Sequence, residues 1–174
     1  MTSKTIAISD SYLFSLELVV PVLSFAIPFF ISGPQLLTGT IVNTLLFLAA
    51  AKTSKKVAIT SALLPSVGAL LNGIVFGKFT PFLFYFLPFI WIGNLILINI
   101  FKRMSYSLFS MLTSAFTKSL FLFIFAFIFF KLSIVPQIFL TAMGIFQFAT
   151  AILGGSLYLL LDRMIPYERH RQTH

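Results

Sequence analysis

The chain has 174 residues, 59% of them hydrophobic and 17% aromatic, with 12 Lys or Arg against 4 Asp or Glu. A water-facing surface needs roughly a quarter of its residues charged, so a charged fraction of 9% excludes an ordinary soluble domain. With a mean hydropathy of +1.03, the length reads as a count of bilayer crossings at roughly 20 apolar residues each, which makes about six.

Six apolar runs bounded by charge, Gly or Pro are predicted as membrane helices at about 12–31, 35–51, 57–76, 80–101, 106–130 and 137–161. The intervening connections are too short for a soluble domain, and residues 1–174 are expected to form a single integral membrane domain. The first run is too long for the apolar core of a leader and lacks an A-x-A cleavage site, so no cleavable signal is expected. A membrane β-barrel fails on period, because F-L-F-I-F-A-F-I-F-F at 121–130 does not alternate. The predicted fold class is therefore an all-α membrane protein.

Basic residues orient the crossings. One side would carry Lys4, Lys52, Lys55, Lys56, Lys102, Arg103, Arg163, Arg169 and Arg171, and the other only Lys78 and Lys131. By the positive-inside rule, this nine-to-two split predicts a multi-pass protein of the cytoplasmic (inner) membrane with both termini in the cytoplasm. Contact of the tail with anionic membrane lipid is a weaker addition. The net charge of +8 does not indicate nucleic acid, because these bases lie in gaps between apolar runs rather than on a solvated face.

Within the third run Ala62, Ser66, Ala69 and Gly73 recur at helical spacing and would let a neighbour approach closely. In the fifth, Ser107, Ser110, Ser114 and Lys118 make one polar stripe that should face inward. Lys118 lies near mid-span, where an ionised side chain costs a few kcal/mol and normally faces a partner or a wet cavity. Two readings are open: a lysine that snorkels or pairs for assembly, and a charge that meets an anionic ligand. Asn43 and Gln147 fall at matching depth on other helices, Gln35 and Asn72 nearer the outer mouth, and Asn94 deeper, one turn from Trp91. Trp91 could supply an aromatic wall. Glu17, the only acid within an apolar run, could pair with Lys118 or lie at the cytoplasmic interface.

Some chemistry is absent. Zero Cys excludes disulfides, thiolate metal sites and Cys-held iron-sulfur clusters. His170 and His174 lie in the terminal tail, so neither a histidine metal site nor a cofactor is expected. G-I-V-F-G-K at 73–78 resembles a phosphate loop, but its glycines are one residue too close and Phe79 replaces the required Ser or Thr. No Ser-His-Asp set or paired carboxylate is evident, so the chain is expected not to be an enzyme.

The blocks G-P-Q-L-L-T-G-T-I-V-N (33–43), L-L-P-S-V-G-A-L (63–70), P-F-I-W-I-G-N (88–94), K-S-L-F-L-F (118–123) and Q-F-A-T-A-I-L-G-G (147–155) resemble the substrate-binding S components of energy-coupling factor (ECF) transporters. Some relatives carry the label "iron hydrogenase", which a chain without Cys does not support. The resemblance implies a six-helix bundle that captures a small molecule (a vitamin, a precursor or a metal ion) from outside. It further implies an ECF coupling subunit and ATPase subunits as partners. Gln35, Asn43, Asn94, Lys118 and Gln147 match the family's blocks, while Pro34 stands where relatives often have His, and the first helix lacks an A-x-x-x-A face. The alternatives are a non-transporting membrane scaffold or assembly factor and, less favoured, a lipid-modifying enzyme.

Overall fold

The computed structural model describes the backbone of residues 2–31, 33–74 and 77–164, with side chains from Ser15 onward. Lys4 and the tail residues Arg169, His170, Arg171 and His174 thus lie outside the described side chains, as do Val75 and Phe76 of the loop-like motif. Seven α-helices follow in order: α1 (Thr2–Phe30), α2 (Gln35–Lys52), α3 (Lys55–Asn72), α4 (Leu83–Arg103), α5 (Leu108–Lys131), α6 (Ile138–Met143) and α7 (Ile145–Met164). No strand occurs among the described residues.

Local chemistry places the helix ends. Pro34 precedes α2 with its φ at −53°, suited to helix entry. The Ser54 and Ser107 hydroxyls accept bonds from Val57 and Ser110 N–H and so cap α3 and α5. Gly73, at φ 79°, ends α3 in the left-handed conformation that glycine adopts freely.

The differences from the predicted boundaries have identifiable causes. α1 starts at Thr2 rather than near residue 12, since the preceding polar stretch contains no helix breaker and apolar content marks a crossing, not a helix end. α3 stops at Asn72, short of the expected residue 76, because of the Gly73 turn. Residues 77–82 form a 3₁₀ turn around Pro81 before α4 begins. The expected last helix is split at Gly144 into α6 and α7.

Four helical stretches are long and apolar enough to cross a membrane: 35–52, 77–103, 108–131 and 138–164. α3 has 18 residues but carries Lys55, Lys56 and Asn72 at its ends, and residues 15–30 of α1 form a shorter apolar helix. The large exposed side chains are mostly Leu, Ile and Phe, compatible with a surface facing lipid. Lys52, Lys55, Lys56, Lys102, Arg103 and Arg163 gather at one end of the bundle, and Lys78 and Lys131 lie at the other.

α1 packs along α3, α2 along α7 and α4 along α5, with further contacts from α3 to α4, α5 to α7 and α2 to α4. Glycine permits the closest approaches: a Cβ on Gly68 would lie 2.5 Å from the Phe25 carbonyl oxygen, and one on Gly154 would lie 2.7 Å from the Thr40 oxygen. Of the small-residue stripe in the third run, Ala62 and Ser66 are buried, Ala69 is partly buried and Gly73 is exposed at the cap. The residue that brings α3 against α1 is Gly68, which lies off that stripe. Two apolar clusters fill the interior, one around Phe47, Phe101 and Tyr158 and one around Phe86, Leu122 and Phe139.

Candidate functional site

Lys118 is 2% exposed in the interior of α5. Ser110 and Ser114 are also buried on α5, whereas Ser107 is exposed at the cap; the polar stripe therefore faces inward as its spacing predicts. The Lys118 ammonium donates to Asn43 Oδ1 at 2.7 Å. Asn43 in turn donates from Nδ2 to the Gly39 carbonyl at 2.9 Å and to Thr150 Oγ1 at 3.1 Å. Thr150 is within bonding distance of its own helix's carbonyls at Phe146 and Gln147, so its proton has a partner and its lone pairs can accept. The relay fixes the Asn43 amide with its oxygen toward the lysine.

Close packing of α2 on α7 makes this relay possible. A Cβ on Gly39 would lie 2.8 Å from the Thr150 methyl, and one on Gly154 would lie 2.8 Å from Asn43 Cβ. Thr44 Oγ1 also bonds the Gly154 carbonyl, at 3.1 Å. Replacing these glycines with larger residues would push Asn43 away from Thr150.

The ammonium has three protons and Asn43 takes one. No carboxylate answers the charge among the described residues. Glu17 bonds Ser54 through both the Ser54 N–H and hydroxyl, and Asp162 pairs with Lys52 at 2.7 Å. Both belong to the end of the bundle rich in Lys and Arg, so Glu17 bonds Ser54 there and does not pair with Lys118.

Lys118 lines a cavity of about 100 Å³ to which helices from α1 to α7 all contribute. Gln35, Asn43, Asn94 and Gln147 line it too, so five of the residues selected from the sequence meet there. Gln35 Nε2 donates to the Ala142 carbonyl at 3.0 Å, and Asn94 Nδ2 to the Ala62 carbonyl at 2.7 Å. The Gln147 side chain is half-buried and forms no hydrogen bond to another described side chain or backbone group.

Two selected residues stand outside the lining. Asn72 donates to the Phe29 carbonyl at 2.7 Å and accepts from Ile74 N–H, which closes the end of α3. Trp91 donates its indole N–H to Ser66 Oγ at 2.8 Å and to the Leu63 carbonyl at 3.1 Å. It joins α4 to α3 behind the cavity rather than forming an aromatic wall, because its sole polar handle is directed at α3.

Thr150, Thr38 and Gly39 also belong to the site but were not singled out from the sequence. Helical spacing offered a clue, since Thr150 lies three residues after Gln147 and Gly39 four before Asn43. No group of three or more metal-ligating His, Asp or Glu side chains occurs among the described residues. The chain matches no family model, no curated protein and no solved structure.

Proposed function

We propose that the chain is a membrane binding protein resembling an ECF S component, which captures a small anionic molecule from outside the cell at Lys118. The carrying observation is a buried ammonium that lines a cavity and faces no described carboxylate. Burying such a charge costs several kcal/mol unless something compensates it, and one amide oxygen does so only in part. In this reading the protein crosses the cytoplasmic membrane six times with both termini inside, and the cavity lies toward the outer half. The gathering of Lys and Arg at the opposite end supports that orientation. Import would need an ECF coupling subunit and ATPase subunits as partners. The chain itself would be no enzyme.

The Lys118–Asn43 bond favours a second reading, a scaffold or assembly factor in which the polar residues only join helices. Mass spectrometry of small molecules co-purified with the wild type and with Lys118→Met separates the two. The binding reading expects a compound retained by the wild type and lost from the variant. Identical spectra from two folded proteins would remove Lys118 from any ligand site.

A further inference from the structure

On the reading that Lys118 meets a captured anion, we propose that the ligand is a small aliphatic monocarboxylate whose body, beyond the carboxylate, contains one to three carbons. The charge of the cavity limits the head group. Lys118 is its single cationic lining residue, no acid lines it, and the described acids Glu17 and Asp162 are engaged elsewhere. A monoanion neutralises that ammonium, whereas a dianion would bury a second charge without a partner. The half-buried Gln147 amide supplies donors with no other described partner, suited to the second oxygen of a carboxylate.

The wall limits the body. The chain has 23 Phe, 5 Tyr and 1 Trp, yet none of the lining residues is aromatic. The apolar lining comes instead from Pro28, Val42, Pro65, Leu83, Ile90 and Met143. A flat ring would have no aromatic face on which to stack, while a short saturated chain fits such a surface. Volume limits the size: a 150 Å³ apolar cavity accommodates benzene, so about 100 Å³ corresponds to roughly four to six heavy atoms.

Calorimetry with purified protein in lipid nanodiscs tests the assignment with propionate, isobutyrate, isobutyramide and nicotinate. Propionate or isobutyrate should bind, the neutral isobutyramide roughly 30-fold more weakly or not at all, and nicotinate not measurably. Lys118→Met should lose the carboxylate by a similar factor. Val42→Phe, which fills the cavity without altering charge, should also lose it, so the result does not depend on one variant's folding. Nicotinate binding as tightly as isobutyrate, or isobutyramide binding equally well, would overturn the proposed class and leave capture by the cavity standing. If none of the probes binds, the class is overturned, and the mass-spectrometric comparison then decides the broader reading: another Lys118-dependent compound preserves it, and no such compound removes both.

Discussion

Replacing Lys118 with Met should leave stability nearly unchanged, although it removes a hydrogen bond from the interior. The side chain is 2% exposed and its ammonium makes one bond to a described side chain, with Asn43 at 2.7 Å. An ionised lysine near the centre of a membrane helix costs about 3 kcal/mol. A charge-assisted hydrogen bond returns about 2 kcal/mol, and the buried Asn43 Oδ1, left without its donor, costs about 1 kcal/mol more, so the substitution should be close to neutral. Met nearly matches the length and volume of the lysine stem, which keeps the repacking cost small. For a chain of this size, where 1 kcal/mol moves Tm by about 2–4 °C, the two proteins should unfold within that interval of each other. Thermal unfolding of both proteins in the same detergent, followed by far-UV circular dichroism, reads it directly. The reciprocal change, Asn43→Ala, strands the ammonium and frees Thr150, and should cost about 3 kcal/mol. A loss of more than about 2 kcal/mol in Lys118→Met would refute the reasoning, because the lysine would then be holding helices together.

Three further outcomes follow from the packing. Gly154→Val would place side-chain atoms within 2.8 Å of the Thr40 oxygen and Thr44 nitrogen, and should cost about 2–3 kcal/mol with loss of the Asn43–Thr150 contact, measured by unfolding and ligand retention. Thr150→Val removes the hydroxyl that Asn43 donates to while keeping the shape, and should cost about 1–2 kcal/mol in the same assay. Since the chain has no Cys, single cysteines at Lys78 or Lys131 should react with an impermeant maleimide on intact cells, and cysteines at Lys55 or Arg103 only after lysis; the reverse pattern would invert the proposed orientation.

The sequence makes the interior polar set legible because such residues are rare and expensive in an apolar chain. Asn43, Lys118, Gln35, Asn94 and Gln147 stand out as polar groups within or at the ends of apolar runs, and all five line one cavity. Depth says nothing of azimuth, which is why Trp91 and Asn72 were selected yet bond to neighbouring backbone outside the lining. Nor does it reveal Gly154 or Gly68, whose importance depends on which backbone passes opposite each one. The break at Gly144 was hidden for a similar reason: α6 and α7 are both apolar, and hydropathy does not register a change of backbone direction.

The polar clasps divide the bundle mechanically. α2 is tied to α6 and α7 along its length through Gln35 to Ala142, Asn43 to Thr150, Thr44 to Gly154 and Lys52 to Asp162. α1, α3 and α4 are joined in turn by Glu17 to Ser54, Asn72 to Phe29, Trp91 to Ser66 and Asn94 to Ala62. Across the cavity these two assemblies face each other with Val42, Met143, Pro65 and Ile90. In a bilayer such aliphatic contact is cheaply exchanged for lipid tails, whereas a broken polar clasp has no replacement. A molecule entering between the two sets would therefore displace aliphatic contacts before it broke any of these polar clasps.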